Sequence, residues 1–335
     1  MPPARDRESL VKAARLYFLD GRSQDDVARV LGTSRSNVSR MLSAAREQGI
    51  VEIRIHGQIR RDLDLEQALR ARFNLKHVRV AAFGPEGDLR TSVGELAAQW
   101  LDETLQDGQT VALSWGATLQ AMVDALSVDR PRAVEVVPLV AGMSWTASLS
   151  SGEELVRSLA GRLGASYRYL HAPALVRSRA AQQALLAEPA IASSLKHALA
   201  AHIALVGIGA PGTPSSNQVI EGLHLTPVQQ RALLEVAVGD VCCRFFDADG
   251  RPVGGAAQER VLAVTLDELK RIPVVVGLAA GGEKARGVLG ALRGGIVNSL
   301  ITDASLAHAV LGEATDSARG QSKGAHDGRR STAGR

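Results

Sequence analysis

The chain is short of aromatic side chains: 5 Phe, 3 Trp and 3 Tyr make up 3% of 335 residues. A core of this size has to be aliphatic and Ala-rich. The scarcity argues against a protein that binds RNA or single strands by stacking bases on aromatic platforms. Cysteine is scarcer still. Cys242 and Cys243 are the only two, and being adjacent they exclude both a disulfide framework and a four-ligand metal site; packing in a strand is their expected role. No apolar run approaches the roughly 20 residues of a membrane helix. The start, Met1-Pro2-Pro3-Ala4-Arg5-Asp6, has no signal-peptide core. The expectation is a soluble, cytoplasmic protein with no membrane partner.

What charge there is lies unevenly. The formal net charge is +4, yet residues 1–61 carry 12 Lys/Arg against 7 Asp/Glu, residues 62–313 carry 22 against 26, and residues 314–335 carry 5 against 2. A basic head on a mildly acidic body suggests a partner for the head alone, and nucleic acid is the first candidate. The length, roughly twice that of one ordinary domain, fits such a division.

In the head, Leu10, Ala13, Ala14, Tyr17 and Phe18 recur at helical spacing up to Asp20-Gly21. Ser23 with Asp26 fits a second helix start, and Val27, Val30 and Leu31 form its apolar face before Gly32. Thr33 or Ser34 caps a third helix, whose Val38, Leu42 and Ala45 share one stripe while Ser34, Arg35, Ser36, Asn37, Ser39 and Arg40 lie largely outside it. The segment Ile50–Ile55 then alternates as a strand. Two short helices around a tight Gly-containing turn, the second carrying Arg on its outer face, are what a helix-turn-helix requires. Arg35 and Arg40 suit guanine, Asn37 suits adenine, and the three serines suit phosphate or base. From Arg29 to Arg61 seven Arg face two acids. The plainer alternative is a three-helix cap with solvated arginines.

A charged helical pattern over 58–77 reads as a connecting helix through Leu63, Leu65, Ala68, Leu69 and Phe73. Beyond it, apolar runs at His77–Phe83, Thr110–Leu113, Val134–Val140, Tyr167–Leu170, His202–Ile208, Val241–Phe246, Val261–Val264, Pro273–Leu278 and Ile296–Ile301 alternate with helix-like stretches. Such runs suit buried parallel strands in an α/β domain over 78–313. The remaining 314–335, rich in Ser, Gly and Arg, reads as a disordered tail.

Three Gly-containing turns follow strands. At Ser114-Trp115-Gly116-Ala117-Thr118 hydroxyls and free amides at a helix start suit a phosphate or a sugar hydroxyl. Gly207-Ile208-Gly209 has G-x-G spacing, but Pro211 and Pro214 stand where a dinucleotide fold needs a helix, so a ligand-facing loop or a plain turn is the better reading. After Ala280-Gly281-Gly282-Glu283, Lys284 falls in a first helical turn, where an anionic ligand explains a cation better than the helix dipole does. A surface lysine is the alternative. His171, His197, His202, His224 and His308 have no metal-ligand spacing, and no metal or cofactor is expected. Asp247 and Asp249 flank Gly250 as in a hairpin turn.

The run from Ser34 to Leu42, followed by Ala45-Arg46 and Gly49-Ile50-Val51, resembles the SorC/DeoR-type sugar-binding transcriptional regulators. So do Trp115–Leu119, Gly207–Gly209, Gly239-Asp240 with Phe245-Phe246-Asp247, Ala280–Lys284, and Leu292-Arg293-Gly294-Gly295 through Asn298, Leu300, Thr302 and Asp303. The resemblance implies a helix-turn-helix head, then an α/β domain like a sugar-phosphate isomerase or deaminase that serves as a sensor. It further implies Ser114, Gly116, Thr118 and Lys284 around a phosphate or terminal hydroxyl, Asp240 toward sugar hydroxyls, and a homo-oligomer, dimer or tetramer, on operator DNA. Two positions depart from the family: Leu139-Val140-Ala141-Gly142 lacks an Asn, and Ala117 stands where an Arg is common. The rival function is a sugar-phosphate enzyme with an accessory head, for which only Asp240 and Lys284 offer an acid/base pair; a second is a constitutive architectural DNA binder.

Overall fold

A computed structural model describes residues 7–51, 60–82, 88–143 and 152–327, the last twelve by backbone only. The chain forms two compact units, 1–58 and 59–335.

In the first unit α1 (Arg7–Ala14) runs into a wider π-helical turn, Arg15–Leu19, and Gly21 follows at φ 63°. Helix α2 (Gln24–Leu31) starts under Ser23, whose hydroxyl accepts from the Asp26 amide at 3.2 Å, and ends on left-handed Gly32. Helix α3 (Arg35–Glu47) starts under Ser34, the cap among the two proposed, which accepts from the Asn37 amide at 3.2 Å. Leu10, Ala13, Val27, Val38, Leu42 and Ala45 close a small aliphatic core. Of the strand expected at Ile50–Ile55, all beyond Val51 lies outside the described residues, as does the boundary at 57–58.

The second unit opens with α4 (Leu63–Phe73), β1 (His77–Ala81), α5 (Leu89–Thr104), β2 (Thr110–Leu113) and α6 (Ala117–Ala125). It continues through β3 (Glu135–Pro138), α7 (Gly152–Leu163), β4 (Ser166–Tyr167), α8 (Arg179–Ala187), α9 (Pro189–Leu199) and β5 (Ile203–Gly207). Then come α10 (Pro214–Gly222), α11 (Pro227–Val236), β6 (Gly239–Val241), β7 (Arg244–Phe246) and α12 (Leu266–Leu269). The last elements are β8 (Val274–Leu278), α13 (Ala285–Arg293), β9 (Ser299–Asp303) and α14 (Ala304–Asp327).

Seven strands form one parallel sheet in the order β1-β9-β8-β5-β2-β3-β4. Strand alternation feeds two cores. Val111, Leu113, Ile203 and Leu205 meet α5, α6 and α7 on one face. Ala112, Ala204 and Val206 meet α4, α9, α10, α13 and α14 on the other. The helix after β2 and the helix after β5 thus lie on opposite faces although the two strands are neighbours. That is the topological switch point at which open α/β sheets form a crevice beyond the strand ends.

Several expectations change. The run Val241–Phe246 is no strand of the parallel sheet: β6 and β7 pair antiparallel on their own, with Cys242 and Cys243 as the two-residue turn. Both cysteines sit at positive φ, 53° and 61°, the conformation a tight hairpin of this twist demands. Among the described residues Val261–Val264 makes only isolated bridges, to Leu175 and Val140. Helix α4 belongs to the α/β unit, because Leu65 and Leu69 sink into its core and buried Glu66 accepts from Arg61 (2.8 Å) and from the Val80 amide (3.0 Å). Helix α14 runs past Glu313 to Asp327, since no proline stops it where the tail was expected to begin; 328–335 lie outside the described residues. Asp247 does shape a turn, its carboxylate accepting from the Asp249 and Arg251 amides beside Gly250.

Candidate functional site

In the head, α3 keeps Val38, Met41, Leu42 and Ala45 buried and leaves Ser34, Arg35, Ser36, Ser39 and Arg40 exposed. Two of the proposed reading residues already have structural work. The Ser34 hydroxyl caps the helix, and the Asn37 side-chain amide donates to Thr33 Oγ1 at 2.8 Å. Arg35 approaches Asp25 at only 3.9 Å, both side chains being well exposed, and Arg40 Nε leans on the Ser36 carbonyl at 3.4 Å. Neither contact is worth enough to hold a guanidinium away from an anionic partner.

In the α/β unit a cavity of about 240 Å³ opens at the ends of β2, β5 and β8, the crevice at the switch point. Gly116, Thr118, Asp240 and Lys284 line it together. Ser114 does not. Its side chain is buried beneath the wall, and its Oγ accepts from the Gly207 amide at 3.2 Å, tying the end of β2 to that of β5. The sequence pattern that marked Ser114 records a strand-to-strand tie, because a hydroxyl buried at a strand end must be paired.

Gly116 takes φ 139°, a value that L side chains rarely adopt, and leaves α6 with no side-chain cap. The first amides of α6 are therefore free to meet an anion. Asp240 is buried at the start of the β6–β7 hairpin, pairs its backbone with Gly209, and accepts from Ser216 Oγ. Gly209 makes this possible: a Cβ there would stand 2.2 Å from the Asp240 carboxylate. Burial pushes the Asp240 pKa up to about 6, against the opposing pull of the Ser216 hydrogen bond and Lys284. The Lys284 pKa is lowered, chiefly by burial, with Glu283 opposing and Arg90 adding repulsion.

The hairpin that carries Asp240 is pinned by Arg244. Its buried guanidinium donates to the carbonyls of Val264 (2.8 Å), Ala263 (2.9 Å) and Gln258 (3.1 Å). Cys242 and Cys243 line the cavity with their thiol pKa values raised by burial. They are neutral wall groups rather than thiolates.

Sequence reasoning missed Arg90, Thr213, Ser215 and Gln218, which also line the cavity. Gln218 Oε1 is buried without a partner, an acceptor suited to a ligand hydroxyl. Thr213 and Ser215 follow the Gly207–Gly212 turn, whose pattern favours a ligand-facing loop or a plain turn over a dinucleotide site without singling out either residue. Nothing local to Arg90 marks it; only the fold brings α5 beside α6. Among the described residues no group of His, Cys, Asp and Glu is arranged to hold a metal ion, and no helix is long and apolar enough to cross a membrane.

The Sugar-bind family model, a sugar-binding domain, matches residues 24–312. The transcriptional regulator LsrR of Klebsiella pneumoniae subsp. pneumoniae is 33% identical over 311 residues, covering 91% of this chain and 93% of that protein. The deoxyribonucleoside regulator of Bacillus subtilis is 31% identical over 315 residues, covering 92% and 99%. The crystal structure of the full-length sorbitol operon regulator SorC from Klebsiella pneumoniae matches with a TM-score of 0.69 at 31% identity, covering 91% of this chain and 98% of that one. These relatives are named as regulators, not as enzymes.

Proposed function

The chain belongs to the SorC/DeoR-type family of sugar-binding transcriptional regulators, and we propose that its crevice senses a small sugar, polyol or sugar phosphate while α3 reads operator DNA. The observation that carries this reading is the cavity beyond β2 and β5, which joins hydroxyl-accepting Asp240 and Gln218 to the Lys284 cation. Its volume, about 240 Å³, suits a ligand smaller than the drug-sized molecules of larger pockets.

On the head, Arg35, Ser36, Ser39 and Arg40 meet base edges and phosphates in the major groove, with Ser34 and Asn37 presenting the helix start. An effector changes DNA affinity only by binding one arrangement of the heads better than another. A homo-oligomer, dimer or tetramer, acting on cytoplasmic DNA supplies such arrangements.

The test is a thermal-shift screen of the full chain against sugars, polyols and their phosphates, followed by operator binding with and without each hit. One compound that both raises the melting temperature and alters operator affinity is the expected result. Stabilisation by none of them supports a constitutive DNA binder, and turnover of a sugar phosphate by the purified protein supports the enzyme.

A further inference from the structure

The turn between β6 and β7 has a composition that its backbone does not ask for. Two consecutive residues at positive φ favour Asn-Gly, Asp-Gly or Gly-Gly, and here both are cysteine, Cys242 at 53° and Cys243 at 61°. Residues other than glycine are disfavoured in this conformation and persist where the surrounding structure over-determines them, ligand clamps among such places. The surroundings do so here. Ahead of the turn, Asp240 and Gly209 exchange two backbone hydrogen bonds, at 2.9 and 3.3 Å. Behind it, Arg244 grips the carbonyls of Val264 and Ala263. Both cysteines are free thiols, 4% and 1% exposed, and both line the crevice in company with Trp115 and Asp240.

A disulfide between them is not what this geometry prepares. Consecutive Cα atoms across a trans peptide stand about 3.8 Å apart, and the bond between these two residues is not cis. A disulfide usually spans roughly 4.4–6.8 Å between Cα atoms. The pair is therefore held as a dithiol. A thiophilic atom set between the two sulfurs lengthens the bridge by one atom and relieves that conflict. Among the described residues no group of three or more His, Cys, Asp and Glu could hold a metal ion, so a centre such as zinc, which takes three or four side-chain ligands, does not fit. Trivalent arsenic does fit, because it needs only two sulfurs from the protein and keeps its own third substituent.

We propose that Cys242 and Cys243 form a dithiol site in the crevice wall that chelates trivalent arsenic, delivered as arsenous acid or an organic arsenical. Each As–OH condenses with one S–H: an As–S bond forms, an As–O bond breaks, and the thiol proton leaves with the hydroxide as water. Two such steps release two waters while arsenic stays trivalent, so neither an oxidant nor a net loss of protons is involved. Thiols kept neutral by burial meet this requirement, whereas thiolate chemistry would not suit them. The bound atom then stands in the crevice with Trp115 and Asp240. The site goes beyond the sugar-sensor reading and does not depend on it.

The experiment is native mass spectrometry and free-thiol titration of the reduced full chain with phenylarsine oxide, which hydrates to the dihydroxide. A peptide of residues 239–247 and the Cys242→Ser and Cys243→Ser chains, each checked for an unchanged circular dichroism spectrum, are run alongside. One arsenic per chain is expected, with both thiols lost together and binding tenfold or more tighter than by the peptide, because the fold presets the two sulfurs. Either serine variant, unable to chelate, is expected to bind at least a hundredfold more weakly. The stoichiometry and the peptide comparison need no variant, so they decide the matter even where a serine chain fails to fold. No uptake by the folded chain, uptake no tighter than the peptide's, or undiminished uptake by either serine variant overturns the proposal.

Discussion

Asp303, at the end of β9, accepts a hydrogen bond from the backbone amide of Gly281 at 2.8 Å while its other oxygen accepts from the Leu306 amide at 3.0 Å. One buried carboxylate thus fixes both the start of α14 and the turn that presents Lys284. Asp303→Ala leaves the buried Leu306 amide and the half-buried Gly281 amide unpaired, and a loss of about 1–3 kcal/mol is expected. Denaturant unfolding should show it, together with weaker effector binding. Stability and effector affinity equal to wild type would remove Asp303 from this role.

Asp240 predicts a pH dependence. Its pKa rises from 3.8 to about 6 on burial, so between those values the folded state holds a proton that the unfolded chain has released. Its contribution is favourable below pH 3.8 and is lost as pH climbs through 6, a span of about 3 kcal/mol. Asp240→Asn removes this term. The stability of the variant relative to wild type should rise across that window in parallel melts at stepped pH and then level off above it. A constant difference from pH 4 to 8 would refute the assignment.

Gly94 is where α5 meets α6. Gly94→Ala forces a methyl against the Ala121 backbone, 2.6 Å away, and overpacking of this kind costs about 1–3 kcal/mol. A lower melting temperature is expected, with effector binding weakened because Arg90 and Ala117, both in the cavity wall, shift with their helices. An alanine variant as stable as wild type would mean that the helices separate without penalty.

Arg40 is exposed on α3 and, among the described residues, held only by a long contact to Ser36. Arg40→Ala should cost about 1–3 kcal/mol in operator binding with relaxed specificity if it reads a base, or lower the salt slope by about 1 if it meets phosphate. Salt-dependent titrations on operator and random DNA separate the two, and unchanged affinity on both removes Arg40 from the interface.

Much of this protein was legible along the chain because the deciding physics is local. Ser23, Gly32 and Ser34 mark helix ends by short-range capping, and the β-branched runs mark buried strands. The Cys242-Cys243 run misled because its residues are apolar and continuous, while the reversal between them depends on a backbone conformation that composition does not report. Ser114 and Lys284 both stood in plausible turns. Only the sheet order separates them, sending the first under the β2–β5 tie and the second into the cavity. Sequence alone determined the helix-turn-helix head, the alternation of strands and helices, and the turns that end near the crevice. Tertiary structure alone decided the cavity wall, because Arg90, Gln218 and Asp240 are distant in the chain and meet only where helices on opposite faces leave neighbouring strands.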